Sequence, residues 1–320
     1  MILRHHKQNF ISSIRIGAAV DLPVEHLTTF AVIVEEGSFE SAARRLHVTP
    51  SAISQRVRGM EQRVGTVLLR RTRPVAPTEA GEAVLRAARQ VERIVDDVSL
   101  ELDGGTSGRS LVPIAVNSDS LATWFMPALA RAARETGARF ELLRSDETVS
   151  AERLRSGEAM AALTATAEAV PGCVSSRIGA VRYRAVAAPG FAADHFAEGV
   201  SADSLRRAPV LDFDRHDQFQ NRFIRKITRA QVEPPRHFIP SSAEFTLAIE
   251  LGMGWGMLPE RQAEELLAAG RLVELAHEST VSLPLYWQRW NLRSPVLDGL
   301  SRIVAEEAAT ALGRGGRRSV

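Results

Sequence analysis

A single cysteine, Cys173, stands in 320 residues, so no internal disulfide can brace the fold. A chain of this size without disulfides fits a reducing compartment, and the cytoplasm is the expected location. The lone thiol reads as a small buried hydrophobe. Lysine is almost missing: Lys7 and Lys226 are the only two, and arginine supplies the other cations. That bias is read as codon usage in a GC-rich genome rather than as chemistry. No apolar run approaches the ~20 residues that span a bilayer, so no membrane association is expected. The first twenty residues are basic, and Arg15 interrupts their apolar patch of Phe10, Ile11, Ile14 and Ile16. No small-residue cleavage site follows, which argues against a secretory signal. A glycine-rich phosphate loop, a metal-spaced His/Cys cluster and a nucleophile elbow are all lacking. An enzyme, a cofactor and a bound metal are therefore not expected.

What is present is an ordinary soluble balance, 45% hydrophobic and 24% charged, on a chain long enough for two or three domains. The net charge of +2 is unevenly spread. Residues 1–73 carry +5, from 11 basic and 6 acidic side chains, and the remainder carries −3. A basic front on a mildly acidic body points to a polyanion as partner of the front alone.

The front contains three helical patterns. Leu27, Phe30, Ala31 and Val34 form one apolar face at helical spacing, closed by Gly37. Ser38 can cap the next helix, whose face is Phe39, Ala42, Ala43 and Leu46. After the turn "HVT", Thr49 caps a third helix with Pro50 at its first position, where a missing N–H costs nothing. Ile53, Val57, Met60 and Val64 point inward. Three helices with a short turn between the last two make a helix-turn-helix. Pro50, Ser51, Ser54, Gln55 and Arg58 lie off the core face, towards the end by which a recognition helix enters the major groove. Gln can pair with adenine, Arg with guanine, and Ser with a base edge or phosphate. Alone, such a ridge is equally an ordinary solvated helix face. Downstream, Val67–Leu69 reads as a strand, followed by Arg70, Arg71 and Arg73 before two prolines, the pattern of a cationic wing. Ser38, Thr49 and these three arginines complete the candidate DNA-binding set. From Thr78 to Leu102, Val84, Ala88, Val91, Val95, Val98 and Leu102 are spaced as a heptad seam, predicting a linker helix that pairs with a second copy.

The stretch "FAVIVEEGSFESAARRLHVTPSAISQRVRGMEQRVGTVLLRRTRPVAPTEAG" resembles the DNA-binding domain of LysR-type transcriptional regulators. The likeness is long and specific, and with the linker helix and effector domain it extends over nearly the whole chain. It implies a recognition helix from Pro50 to Arg63 that binds a double-stranded operator. Two departures stand out. Gly59 sits inside that helix at a cost of about 1 kcal/mol relative to alanine. Residues 1–20 have no counterpart, and a disordered, non-essential extension is expected there.

Beyond the Gly-rich segment 103–109, strands and helices alternate: "LVPIAV", "SLATWFMPALARAARETG", "RFELL", "VSAERLRSGE", "AMAALTA", and so on to a last helix near Leu312. This predicts an α/β domain of mostly parallel strands, large enough for two lobes. Ligands in such sheets sit beyond strand ends, near helix starts. Two places qualify: Asn117, Ser118, Asp119 and Ser120, and then Ser241 and Ser242. Plain N-capping explains either segment equally well. The four tryptophans, Trp124, Trp255, Trp287 and Trp290, read as core.

"NSDSLATWF", "PGC", "SSAEF", "GMGWGMLPE" and "LYWQRW" resemble the branch of LysR-type regulators that senses lysine and arginine, the LysG or ArgP-like group. That resemblance implies a basic amino acid effector and control of an amino acid exporter gene. Asp119, Asp146, Asp214 and Glu244 are then candidates for its ammonium groups, and each is also an ordinary loop acid. Ser145 stands where the branch usually carries a further acid, which weakens the preference for a basic effector.

The reading as a whole is an α/β protein with an α-rich winged helix-turn-helix N-terminal domain and a two-lobed, periplasmic-binding-protein-like effector domain. The expected boundaries are an extension at 1–20, the winged domain at 21–77, the linker helix at 78–103 and a hinge at 104–110. The effector domain is expected at 111–320, with lobe I at about 111–166 and 260–320 and lobe II at about 167–259. Function is expected to be effector-controlled DNA binding by a homodimer or homotetramer acting on RNA polymerase. The competing readings are an architectural chromosome-binding protein and a regulator of an unrelated small-molecule pathway.

Overall fold

The computed structural model describes residues 13–16, 20–102, 111–145, 147–276 and 279–313. The chain forms two compact units, Met1–Pro113 with Ala151–Met160, and Ile114–Ser150 with Ala161–Val320.

The first unit opens with an antiparallel pair, β1 (Ser13–Ile16) and β2 (Val20–Pro23), followed by α1 (Val24–Glu36), α2 (Phe39–Arg45) and α3 (Pro50–Val64). A two-stranded wing, β3 (Leu69–Arg70) and β4 (Ala76–Pro77), leads into α4 (Glu79–Leu102). Local chemistry sets the ends. Gly37 ends α1 in the left-handed conformation at φ 64°, which a residue with a Cβ rarely adopts. Ser38 Oγ accepts the Ser41 amide at 3.0 Å, and Thr49 Oγ1 accepts that of Ala52 at 3.2 Å. Thr78 Oγ1 accepts the Gly81 amide at 3.1 Å. Gly81 is itself dictated by packing, since a Cβ there would lie 2.0 Å from the Leu68 carbonyl oxygen. The core joins Leu27, Phe30 and Ile33 of α1 to Ala42, Ile53, Met60 and Leu68.

Two expectations are corrected here. Residues 13–16 pair with β2, whose Leu22 is fully buried in this core, so order begins before residue 21. The other calls on the extension fall outside the described residues. The heptad seam is also shorter than its spacing implied. Val84 and Ala88 are 3% and 1% exposed because they pack, with Leu85, on the core that α1 builds, and Val91 packs partly against it. A stripe at this spacing serves any apolar neighbour, and here the nearest is the same domain. The open apolar surface on α4 is Ile94, Val95 and Val98 at 50%, 56% and 48% exposure. Residues 103–110, and the side chain of Leu102, lie outside the described residues.

Beyond α4 the chain runs β5 (Leu111–Val116), α5 (Ser118–Ser120), a π-helical turn (Leu121–Phe125), α6 (Met126–Thr136), β6 (Arg139–Arg144), α7 (Glu147–Ser156), β7 (Ala161–Thr164) and β8 (Cys173–Ala187), all in the second unit except the start of β5 and most of α7. Then come α8 (Pro189–Phe196), α9 (Ala202–Arg207), β9 (Val210–Asp212), α10 (Phe219–Ile227), β10 (Arg236–Phe238), α11 (Ser242–Glu250) and β11 (Gly256–Pro259). The chain closes with α12 (Glu260–Ala268), β12 (Val273–Glu274), β13 (Val281–Trp290) and α13 (Pro295–Ala311). The main sheet has the order β11-β8-β13-β7-β5-β6, with β12 also on β8. All four tryptophans are buried.

β8 and β13 run the length of both lobes. Their antiparallel register shifts between Leu285 and Tyr286. On one side of the shift, β13 continues onto β7 and β5, giving the first lobe. On the other, β11 and β12 lie on Tyr183–Ala187 of β8, giving the second. The expectation of mostly parallel strands is therefore corrected. Of the registered pairs in this unit, β5–β7 and β9–β10 are parallel, while β8 meets β11, β12 and β13 antiparallel. "VRYRA" and "VSLPLYW" alternate in burial, as half-covered antiparallel strands do. The lobe boundary is corrected too. α12 and the start of the segment after it belong to the second lobe, where Ala263 and Leu272 share a core with Val186, Phe245 and Leu258.

Candidate functional sites

In the first unit, α3 buries Ile53, Val57 and Met60, which leaves Ser51, Gln55 and Arg58 exposed and Ser54 half-buried on the opposite side. Arg56 does not join this ridge, because it is held on Glu25 and donates to Thr29 Oγ1 at 2.9 Å. Gln55 and Arg58 make no hydrogen bond or ion pair among the described residues, so their donors are available. Ser51 Oγ lies 2.9 Å from Thr49 Oγ1 at the helix start, and Pro50 is exposed beside them. Ser38 is half-buried and its hydroxyl caps α2. In the wing, Arg70 is engaged: its Nε and one Nη donate to the Pro77 carbonyl at 3.1 and 3.0 Å. Arg70 thus braces the wing, while Arg71 and Arg73 are exposed and have no hydrogen-bond or ion-pair partner among the described residues. A bare cationic tip beside a polar ridge is suited to phosphates and base edges.

In the second unit a cleft of about 230 Å³ opens between the lobes. Asn117, Ser118 and Asp119 enter it from the end of β5, where the strand stops and α5 begins. Asp119 is the meeting point of the two lobes. Its Oδ2 accepts the Tyr183 hydroxyl of β8 at 2.7 Å, and its Oδ1 accepts the Ser242 hydroxyl of α11 at 3.2 Å. Loss of hydration pushes the Asp119 carboxyl above the ordinary aspartate range, and Asp217 adds to the shift. The bonds from Tyr183 and Ser242 oppose it by favouring the charged form. Tyr183 stacks on Phe219, with ring centroids 4.1 Å apart. Arg222 lies over the other ring at 5.7 Å and also lines the cleft.

Asp214 lines the cleft as expected, but part of its capacity is used in folding its own loop. One oxygen accepts the His216 and Asp217 amides at 2.7 and 3.0 Å. Asp217 accepts the Phe213 amide on one carboxylate oxygen and the Phe219 amide on the other, each at 2.9 Å. Three of the expected residues are not in the cleft wall. Ser120 is fully buried and its hydroxyl has no hydrogen-bond partner among the described residues. Ser241 donates to Glu244, and the pair sits together on the exposed first turn of α11. That bond, with a second from the Glu244 backbone, holds the Glu244 carboxyl below its usual range. One helical step separates Ser241 from Ser242, and only the latter faces Asp119. Asp146 lies outside the described residues. Ser145 bonds Ser150 across 2.9 Å and takes no part in the cleft wall. Tyr183, His216, Asp217, Gln218, Phe219 and Arg222 were missed from sequence. For all but Tyr183 the signal was the dense run "DFDRHDQFQNR", too rich in charge and aromatics for a plain connector. Among the described residues no cluster of His, Cys, Asp and Glu could hold a metal ion.

A winged helix-turn-helix followed by a linker helix and a two-lobed domain with a ligand-sized cleft defines a ligand-responsive DNA-binding protein. Residues 24–82 match the bacterial regulatory helix-turn-helix protein, lysR family, and residues 106–309 match the LysR substrate binding domain. This chain belongs to the LysR family of transcriptional regulators. The HTH-type transcriptional regulator LysG of Mycobacterium tuberculosis is 40% identical over 293 residues, covering 91% of this chain and 95% of that protein. The crystal structure of ArgP from Mycobacterium tuberculosis superposes with a TM-score of 0.84 at 39% identity, over 91% of this chain and 98% of the other. Full-length LysG from Corynebacterium glutamicum with bound effector Arg gives 0.81 at 36% identity, over 91% and 99%.

Proposed function

We propose that this protein is a homodimeric, DNA-bound sensor of a basic amino acid, arginine or lysine, acting in the cytoplasm on the promoter of an amino acid exporter gene. α3 reads the operator, and Arg71 and Arg73 hold phosphates. The observation that carries the effector class is the Asp119 carboxylate, drawn out of water at the seam of the two lobes. A buried carboxylate gains most from a cationic partner, since hydration no longer competes for it. The Tyr183–Phe219 stack offers the flat surface that a guanidinium group prefers. Arg222 is the cation available for the α-carboxylate. A cation on Asp119 competes with the Tyr183 and Ser242 hydroxyls that link the lobes, so occupancy shifts the lobe equilibrium. That shift, passed to paired heads, alters operator contacts and the approach of RNA polymerase. Two LysG/ArgP relatives of similar architecture, one with bound arginine, support the reading.

Calorimetric titration with arginine, lysine and citrulline tests it. Citrulline keeps the shape of arginine without its distal charge. Arginine or lysine should bind and change operator affinity, and citrulline should not. Equal binding of citrulline and arginine would reject a charge-reading cleft. Operator affinity that no amino acid alters would favour a purely architectural role.

A further inference from the structure

Back to back with the effector cleft lies a second, open groove of about 1020 Å³. It is walled by α10 and by the segment running from Thr228 to Phe238. Asp217 and Gln218 line both cavities, so a single loop separates them. The groove is rich in arginine, and the use of each one differs. Arg236 is spent on buried Asp212 and on Asn221, to whose Oδ1 it donates at 2.6 Å. Arg215 lies 5.0 Å over the ring of Phe238, which is 40% exposed. Arg225 and Arg229 are exposed and make no hydrogen bond or ion pair among the described residues. Elsewhere in this unit arginines such as Arg131, Arg184, Arg289 and Arg302 sit on carboxylates.

Four arginines, Arg215, Arg225, Arg229 and Arg236, share the groove wall with three acids, Asp212, Asp217 and Glu233, which leaves a cationic excess of one. Asp212 faces Arg236, and Asp217 is occupied by two backbone amides. Glu233, the third wall acid, has no such partner among the described residues. Apart from Glu233, the groups open to a ligand are two guanidinium forks on the same wall as an aromatic ring already faced by a third. Guanidinium forks match phosphoryl oxygens two at a time, and a ring with an arginine over it accepts a further flat group by stacking.

We propose that this groove binds a phosphate-bearing small molecule with a planar ring, of the nucleoside polyphosphate kind. Arg225 and Arg229 take the phosphates, and the Arg215–Phe238 pair takes the ring. The site needs nothing from the effector reading and stands or falls separately.

Calorimetry on the full-length protein at physiological salt, with ATP and inorganic tripolyphosphate as probes and no DNA present, tests it. Both should bind one per chain, ATP more tightly. Arg225→Ala with Arg229→Ala should weaken both at least tenfold. Phe238→Ala should bring ATP down to the level of tripolyphosphate and leave tripolyphosphate unchanged. Arg71→Ala with Arg73→Ala, in the wing, should change neither. Because Arg225 and Arg229 are exposed and unpaired, an unaltered melting temperature checks that their variant folds. Three results would overturn the proposal: affinity unaltered in the groove variant, binding lost in the wing variant instead, or heat no greater than sulfate gives at equal ionic strength.

Discussion

The Tyr183 hydroxyl lies 2.7 Å from Oδ2 of Asp119 and ties the strand that runs through both lobes to the turn that closes β5. Ser242 reaches the other carboxylate oxygen from α11. One acid therefore links three elements and both lobes, in the place where a ligand must enter.

Asp119→Asn separates the two roles of that carboxyl. Its folded pKa lies above the ordinary aspartate value, so protonation favours the folded, empty protein. The stability it contributes is present below that ordinary value and is lost as pH rises through the raised one. The asparagine variant escapes the loss, so its melting temperature should exceed that of the wild type by a margin that grows as pH rises from the ordinary aspartate value to the raised one. Arginine should bind the wild type above the raised pKa, weaken as pH falls through it, and fail on the variant throughout. Melting curves and calorimetry across a pH series check both signs. Equal melting temperatures at neutral pH would mean the carboxyl is not desolvated.

Tyr183→Phe removes one donor from Asp119 and leaves the stack on Phe219 in place. A hydrogen bond to a charged group contributes about 1.5–3 kcal/mol. Losing it should push the Asp119 carboxyl further up and shift the acid limb of arginine binding to higher pH. A limb that stays put would show that the bond is not made to the charged form.

Gln55→Ala and Arg58→Ala should each lower the preference for operator over scrambled duplex by about 1–3 kcal/mol for each lost base contact. Arg71→Ala should instead weaken both duplexes alike and flatten the salt dependence. Fluorescence anisotropy at several salt concentrations distinguishes the two patterns. Unchanged discrimination in both α3 variants would move the reading face elsewhere.

Ile94→Asp with Val98→Asp should give monomers in sedimentation without loss of the folded head, since both side chains are open on α4. Leu85→Ala, by contrast, removes a side chain buried in the head core and should cost about 2–5 kcal/mol of stability. A dimer that survives the double aspartate change would place the pairing surface off this helix.

Much of the first unit was legible because its information is local. Helix periodicity chose the inner faces, and Ser38, Thr49 and Thr78 announced the helix starts through side-chain oxygens that reach amides three residues on. The exposed ridge of α3 followed by subtraction. Periodicity also named Val84 and Ala88 as apolar contacts, yet only packing could say that the contact is α1 and not a second chain. In the second unit, sequence placed Asp119 and Ser242 at helix starts, 123 positions apart. That they meet, that Tyr183 joins them, and that Ser241 turns away to Glu244 were decided by the register of β8 and β13 and the docking of α11. A spacing rule reaches one helical turn or one strand neighbour. Bonds between distant segments depend on how whole elements pack, and no local pattern encodes that.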